Sequence, residues 1–110
     1  MPDERRRTER VAVKVPARLR LGGGREAAVT IRNVGELGML VSSTDLELEI
    51  HEGERALLEH PRLVDGKPTG AHVSTAAAVV RVELEFDPGA ITREIALFFD
   101  GGPKPAGLPD

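Results

Sequence analysis

Apolar residues recur at every second position through most of this chain, and that period of two constrains the fold more than any other feature. From Val11 to Leu21 the odd positions read Val11, Val13, Val15, Ala17, Leu19 and Leu21, and the even ones Ala12, Lys14, Pro16, Arg18 and Arg20. Successive side chains of a strand point to opposite faces, so this alternation predicts a half-buried strand. Pro16 has no backbone N–H to donate, which predicts a bulge, a bend or an edge position there. Gly22-Gly23-Gly24 makes a turn, and Ala27, Val29 and Ile31 resume the alternation.

Turn formers at Asn33-Val34-Gly35-Glu36-Leu37-Gly38 interrupt the pattern before a short strand at Met39–Ser42. Leu46, Leu48 and Ile50 then alternate with Glu47, Glu49 and His51, which predicts another half-exposed strand. His51-Glu52-Gly53-Glu54 reads as a turn, Arg55–Val64 as extended, and Asp65-Gly66-Lys67-Pro68 as a further turn. The longest alternation follows. Ala76, Ala78, Val80, Val82, Leu84 and Phe86 point one way, and Ala77, Val79, Arg81, Glu83 and Glu85 the other. Asp87-Pro88-Gly89 turns the chain into a last strand carrying Ile95, Leu97 and Phe99. No stretch has a sustained helical period and there is no internal repeat. Short strands at regular spacing with Gly/Pro turns predict an all-β fold, a small antiparallel barrel of six or seven strands, which also removes exposed sheet edges.

Composition narrows the function. The chain of 110 residues fits one domain. At that size roughly two-thirds of the unfolded surface is buried, so one core forms without a staple. With no Cys, disulfides and thiolate metal sites are excluded, and a reducing compartment fits. No apolar run approaches the ~20 residues that cross a bilayer. The basic cluster near Met1 is followed by no apolar segment, so it does not read as a secretory signal. The expectation is a cytoplasmic protein without membrane insertion. Residues 1–32 carry nine basic and four acidic side chains, and residues 33–110 six basic and fourteen acidic. That asymmetry argues against a continuous basic face for a nucleic-acid polymer, but it permits a local cluster for one small anion. The only aromatics are Phe86, Phe98 and Phe99, too few for the stacking platforms of single-strand binders.

Two constellations carry chemistry. Arg5-Arg6-Arg7-Thr8-Glu9-Arg10 precedes the first strand, and within it Arg6 and Arg10 form an Arg-x-x-x-Arg pair. A guanidinium grips phosphate with two parallel hydrogen bonds, matches the O6/N7 edge of guanine, and stacks on a base. Taken alone, four arginines near a terminus also read as a solvated basic segment. The second constellation is Asn33-x-Gly35-x-x-Gly38 between two strands. A side-chain amide reads the donor and acceptor edge of a base, and glycines let a ligand approach the backbone. Alone, this is also an ordinary hairpin turn.

In order, the two motifs resemble the signature of the PilZ family, which pairs Arg-x-x-x-Arg with Asp/Asn-x-Ser-x-x-Gly. Glu4-Arg5-Arg6-Arg7-Thr8-Glu9-Arg10-Val11-Ala12-Val13 is similar to the family's opening, and the Val79–Val82 and Ile95–Phe99 strands fall where the family has them. The resemblance covers residues 4–100. It implies a PilZ-like split barrel at residues 11–100, a flexible ligand-clasping arm at 1–10 and, from the three Pro and three Gly of 101–110, a mobile tail. It further implies a receptor for the second messenger cyclic di-GMP, with no other cofactor. Arg6 and Arg10 would clasp its phosphates and guanines, Asn33 would bond a guanine edge, and Gly38 would give the loop its backbone. Arg5, just before the pair, goes in the family with a stacked dimer of the ligand.

Two departures stand out. Gly35 occupies the Ser position, removing a hydroxyl; a hydrogen bond to a charged group is worth ~1.5–3 kcal/mol, or roughly 10- to 100-fold in affinity. The tail at 101–110 cannot readily form the helix the family commonly adds, which would leave that end to another cover such as a second subunit in a homodimer.

His51, His60 and His72 have no metal-site spacing and read as surface or turn residues. Ser42-Ser43-Thr44 lacks a base partner, and the Glu47/Glu49 and Glu83/Glu85 pairs sit on strand faces expected in solvent. No catalytic set emerges, so the chain does not read as an enzyme. The leading expectation is a cyclic di-GMP receptor that changes conformation and signals to an unidentified downstream protein. The alternative is a degenerate adaptor that works through protein contact without the nucleotide, and a third reading is a small barrel for RNA or DNA.

Overall fold

The computed structural model of the chain describes residues 11–102 and 105, Asp87 by its backbone alone. The expected arm at 1–10, with Arg5, Arg6 and Arg10, and most of the expected tail lie outside the described residues. Six strands carry the fold: β1 (Val11–Leu21), β2 (Glu26–Val34), β3 (Gly38–Ser43), β4 (Arg55–Val64), β5 (Lys67–Asp87) and β6 (Ala90–Phe98). They close into an antiparallel barrel in the order β1-β2-β3-β6-β5-β4. No helix among the described residues is long and apolar enough to cross a membrane.

Alternation puts one face of each strand inside. Val15, Leu19 and Leu21 of β1, Val29 and Ile31 of β2, Val41 of β3, Leu58 of β4, Val79 of β5 and Ile95 and Leu97 of β6 are buried in a single core. Two-residue turns join β4 to β5 and β5 to β6. At Asp65-Gly66 both φ values are positive, +53° and +79°, as a type I′ hairpin turn demands. The strand therefore resumes at Lys67, earlier than the four-residue turn expected from sequence, and β5 is longer at its start than the alternation from Ala76 suggested.

The unbroken alternation expected across Ala76–Phe86 is interrupted. Val79 pairs with Leu97 and Arg81 with the next residue, Ala96, leaving Val80 as an extra residue. The bulge switches the inward parity from Ala77 and Val79 to Val82. Beyond it, β5 and β6 leave the barrel as a two-stranded ribbon. There Leu84 and Phe86 are 53% and 69% exposed, apolar residues that the period-two pattern cannot tell from core.

Leu46–His51 is not a strand. Its alternation is nevertheless visible in burial, because Leu48 and Ile50 close one end of the core while Glu47 and Glu49 stay in solvent. The segment crosses from β3 to β4, which are not neighbours in the barrel, so side chains rather than a neighbouring strand satisfy several of its carbonyls. Arg93 donates to the carbonyls of Leu48 and, at 2.7 Å, of Leu46. Arg25 donates to that of Glu49 at 2.6 Å and pairs with Glu54 at 2.6 Å. Periodicity reported which side chains go inside; hydrogen bonding went elsewhere.

His60 is a second correction. Expected at the surface, it is 5% exposed. Its ring nitrogens lie 2.7 Å from the Pro61 carbonyl and 2.9 Å from the Thr75 hydroxyl, which suits a neutral ring donating at Nδ1 and accepting at Nε2. Burial pushes its pKa below 6.5.

Two outcomes are expected. Arg93→Ala removes both tethers of the crossover; with the part-buried bond to Leu48 carrying most of the effect and the exposed one to Leu46 adding little, urea unfolding should show a loss of about 1.5–3 kcal/mol. Amide exchange at residues 46–50 should quicken in the same variant. The His60 ring is neutral in the fold and free to protonate when unfolded, so its contribution to stability is full above about pH 6.5 and is lost as pH falls toward its lower folded value. Wild type should therefore lose stability between pH 7 and pH 5 relative to His60→Gln; parallel curves for the two proteins would refute this. Glu54 and Asp100 do not obscure that window. Arg25 holds the Glu54 carboxyl below the usual carboxylate range, and Arg55 draws Asp100 down to about 2.

Candidate functional site

The Asn33–Gly38 segment is the β2–β3 hairpin. Its turn is closed by the Gly35 N–H donating to the Gly38 carbonyl at 2.8 Å. It is also tied to the last strand, because Phe99 N–H donates to the Leu37 carbonyl at 2.8 Å. Gly38 does not have positive φ; its requirement is closeness. A Cβ built there would lie 2.0 Å from the Leu97 carbonyl oxygen, so β3 can approach β6 at this point only without a side chain. Gly38 thus has a role in closing the barrel, independent of any ligand. Asn33 is half-buried on β2, between Ala12 of β1 and Leu40 of β3. Val11 lies opposite Val34. The described chain therefore begins at the Asn33 turn.

Beside that corner two register shifts lie next to each other. Between the pairs Ala12↔Asn33 and Val15↔Ile31, β1 sets Val13 and Lys14 against Arg32 alone. Between Ile31↔Val41 and Asn33↔Leu40, Arg32 has no partner in β3. Bulges re-aim side chains. Here they accompany a cavity of about 280 Å³ across β1, β2 and β3, lined by Val13, Lys14, Thr30, Arg32 and Ser42. Thr30 and Ser42 are cross-strand partners, so their hydroxyls share this face. Sequence reasoning missed Lys14, Thr30, Arg32 and Ser42, reading them as the polar side of an alternation or as a strand end. The usable signal was a cation at residue 32 directly before Asn33, but grouping it with Lys14 requires the strand register.

A larger cavity, about 440 Å³, lies between β1 and β4 and is lined by Pro16, Ala17, Arg18, Glu59, His60, Pro61 and His72. The β1–β4 pairing ends at Arg18↔Glu59, and beyond it each strand carries a proline with no N–H to offer, Pro16 and Pro61. The edge position foreseen for Pro16 is realised in this gap. Its charges are already matched: Arg18 lies 3.5 Å from Glu26, and Glu59 lies 3.1 Å from Arg20. Size favours this cavity for a ligand, whereas chemistry favours the smaller one for an anion. Among the described residues no group of three or more His, Asp or Glu is placed to hold a metal.

The sequence matches the PilZ domain family over residues 4–100. Among solved structures, the fold is similar to the PilZ domain with c-di-GMP of YcgR from Escherichia coli, with a TM-score of 0.67 and 15% identity over 91% of this chain and 82% of that one. At that identity the likeness is one of fold. No curated protein matches the sequence.

The Gly38 contact yields a stability test. Gly38→Ala forces β3 and β6 apart, and overpacking of this kind costs roughly 1–3 kcal/mol. A thermal melt of the variant should move down by several degrees; an unchanged melt would mean that β3 and β6 separate freely.

Proposed function

The chain belongs to the PilZ domain family, and from that premise we propose that it is a receptor module for cyclic di-GMP. In this reading Arg6 and Arg10 clasp the phosphates and guanines, Asn33 bonds a guanine edge, and the Gly35–Gly38 turn lets the ligand lie close to the backbone. The observation that carries the reading is the register Val11↔Val34 and Ala12↔Asn33. Paired strands are about 4.8 Å apart, so the segment bearing Arg10 is joined to the barrel beside Asn33. At ~3.5 Å per extended residue, covalent geometry keeps the Arg6 Cα within roughly 18 Å of that of Val11. Had β1 begun at the opposite rim, two arginines and the turn would have had no common ligand. The relative from Escherichia coli, whose PilZ domain is described with c-di-GMP, adds support.

Signalling follows if the arm orders on the ligand. A ligand shifts an equilibrium only by its differential affinity for the two states, so ordering of residues 5–10 over the corner alters the surface offered to a downstream protein. Arg5 suits binding of the ligand as a stacked dimer. Gly35 favours a second reading, an adaptor that acts through protein contact and no longer answers to the nucleotide.

Isothermal titration with cyclic di-GMP separates the two. The receptor reading expects measurable binding that Arg6→Ala or Arg10→Ala abolishes, and it is lost if wild-type protein gives neither heat nor a thermal shift at high micromolar ligand. Gly35→Ser restores a hydroxyl and should tighten binding by about 10- to 100-fold. Binding that appears only in Gly35→Ser would make the natural chain the adaptor.

A further inference from the structure

Cations on this barrel are unevenly engaged. Arg18, Arg20, Arg25, Arg55 and Arg81 each have a carboxylate oxygen within 3.5 Å. Arg93 is committed to backbone carbonyls. Lys14 and Arg32 form no ion pair with any described residue, yet they line the same cavity. The acid whose titration Arg32 influences is Glu94, the cross-strand partner of Ser42. Glu94 binds its proton more tightly than an ordinary glutamate, chiefly through a hydrogen bond with Glu85.

The shape of the cavity narrows what it can take. Its volume of about 280 Å³ is just under the ~300–1,000 Å³ of pockets that enclose a whole drug-sized ligand. It accommodates one part of a dinucleotide. A Lys point charge, an Arg fork and two hydroxyls on adjacent strands suit phosphate better than a base, since all can donate to its oxygens. Backbone pairing places these groups on rigid strands beside Asn33, which tightens positioning in a way that a terminal segment alone does not.

Resting on the receptor reading above, we propose that Lys14 and Arg32, with the hydroxyls of Thr30 and Ser42, hold one phosphate of the cyclic dinucleotide. The barrel wall then grips the ligand through charge as well as shape. Thr30 and Ser42 supply hydroxyl donors on a chain whose Gly35 has none. The pocket reads charge and leaves the choice of base to Asn33.

The test titrates the whole chain with cyclic di-GMP at low and high salt, as wild type, as Arg10→Ala and as the Lys14→Gln/Arg32→Gln double variant. Both substituted side chains are exposed, so thermal melts should be unchanged. Loss of two charge-assisted contacts should weaken binding by at least about 10- to 100-fold and flatten its salt dependence. Arg32→Lys should retain more affinity than Arg32→Gln. If the double variant binds as tightly as wild type with the same salt dependence, the wall pocket is refuted, while loss of binding in Arg10→Ala keeps the receptor reading. Absence of binding in wild type removes both.

Discussion

Closing six antiparallel strands into a ring requires neighbouring backbones to stay in register, and the places where register slips decide what this barrel displays. Two slips lie side by side, at Val13-Lys14 in β1 and at Arg32 in β2. An extra residue in one strand cannot join the ladder, so it twists the strand and turns its neighbours' side chains. Lys14 and Arg32 reach one cavity because of that. A third slip, at Val80, reverses the parity of β5 so that Val82 turns inward, and beyond it Leu84 and Phe86 are exposed because β5 and β6 project past the barrel as a ribbon. Each slip converts a regular wall into a local feature without opening the core.

The same bookkeeping of backbone groups explains the two places where a strand neighbour is missing. Between β1 and β4 the ladder stops where Pro16 and Pro61 have no donors to give, and a cavity opens at little cost in unmade bonds. Across the other end, the Leu46–Ile50 crossover has carbonyls without a strand, and Arg93 of β6 and Arg25, just before β2, donate to them instead. These bonds steady a segment that has no ladder of its own, and the one from Arg93 to Leu48 is part-buried, so the arginines do structural work that a count of surface ion pairs would overlook. They are for that reason poor candidates for ligand binding, whereas Lys14 and Arg32, near Asn33, form no ion pair with any described residue.

Electrostatics and topology meet at one corner. The positive excess of residues 1–32 and the negative excess of 33–110 were visible as numbers. Folding sets the start of β1 against the end of β2, so Val11 and Ala12 pair with Val34 and Asn33. That corner has the Gly35–Gly38 turn on one flank and the Lys14–Arg32 cavity on another.

Much of the architecture was legible in the sequence, because a side-chain period of two is a local property that burial on one face imposes directly. It defined β1 to the residue, located the Asn33 turn, and even marked Leu48 and Ile50 as inward although they lie in no strand. Residue type alone also singled out Asn33, Gly35 and Gly38. What periodicity lacks is the partner strand. Only tertiary pairing revealed the bulges that gather Lys14, Arg32, Thr30 and Ser42, the burial of His60, and the approach of β3 to β6 that makes glycine obligatory at 38. Each of these depends on contacts between residues far apart in the chain, and such contacts leave no repeat for a local pattern to register.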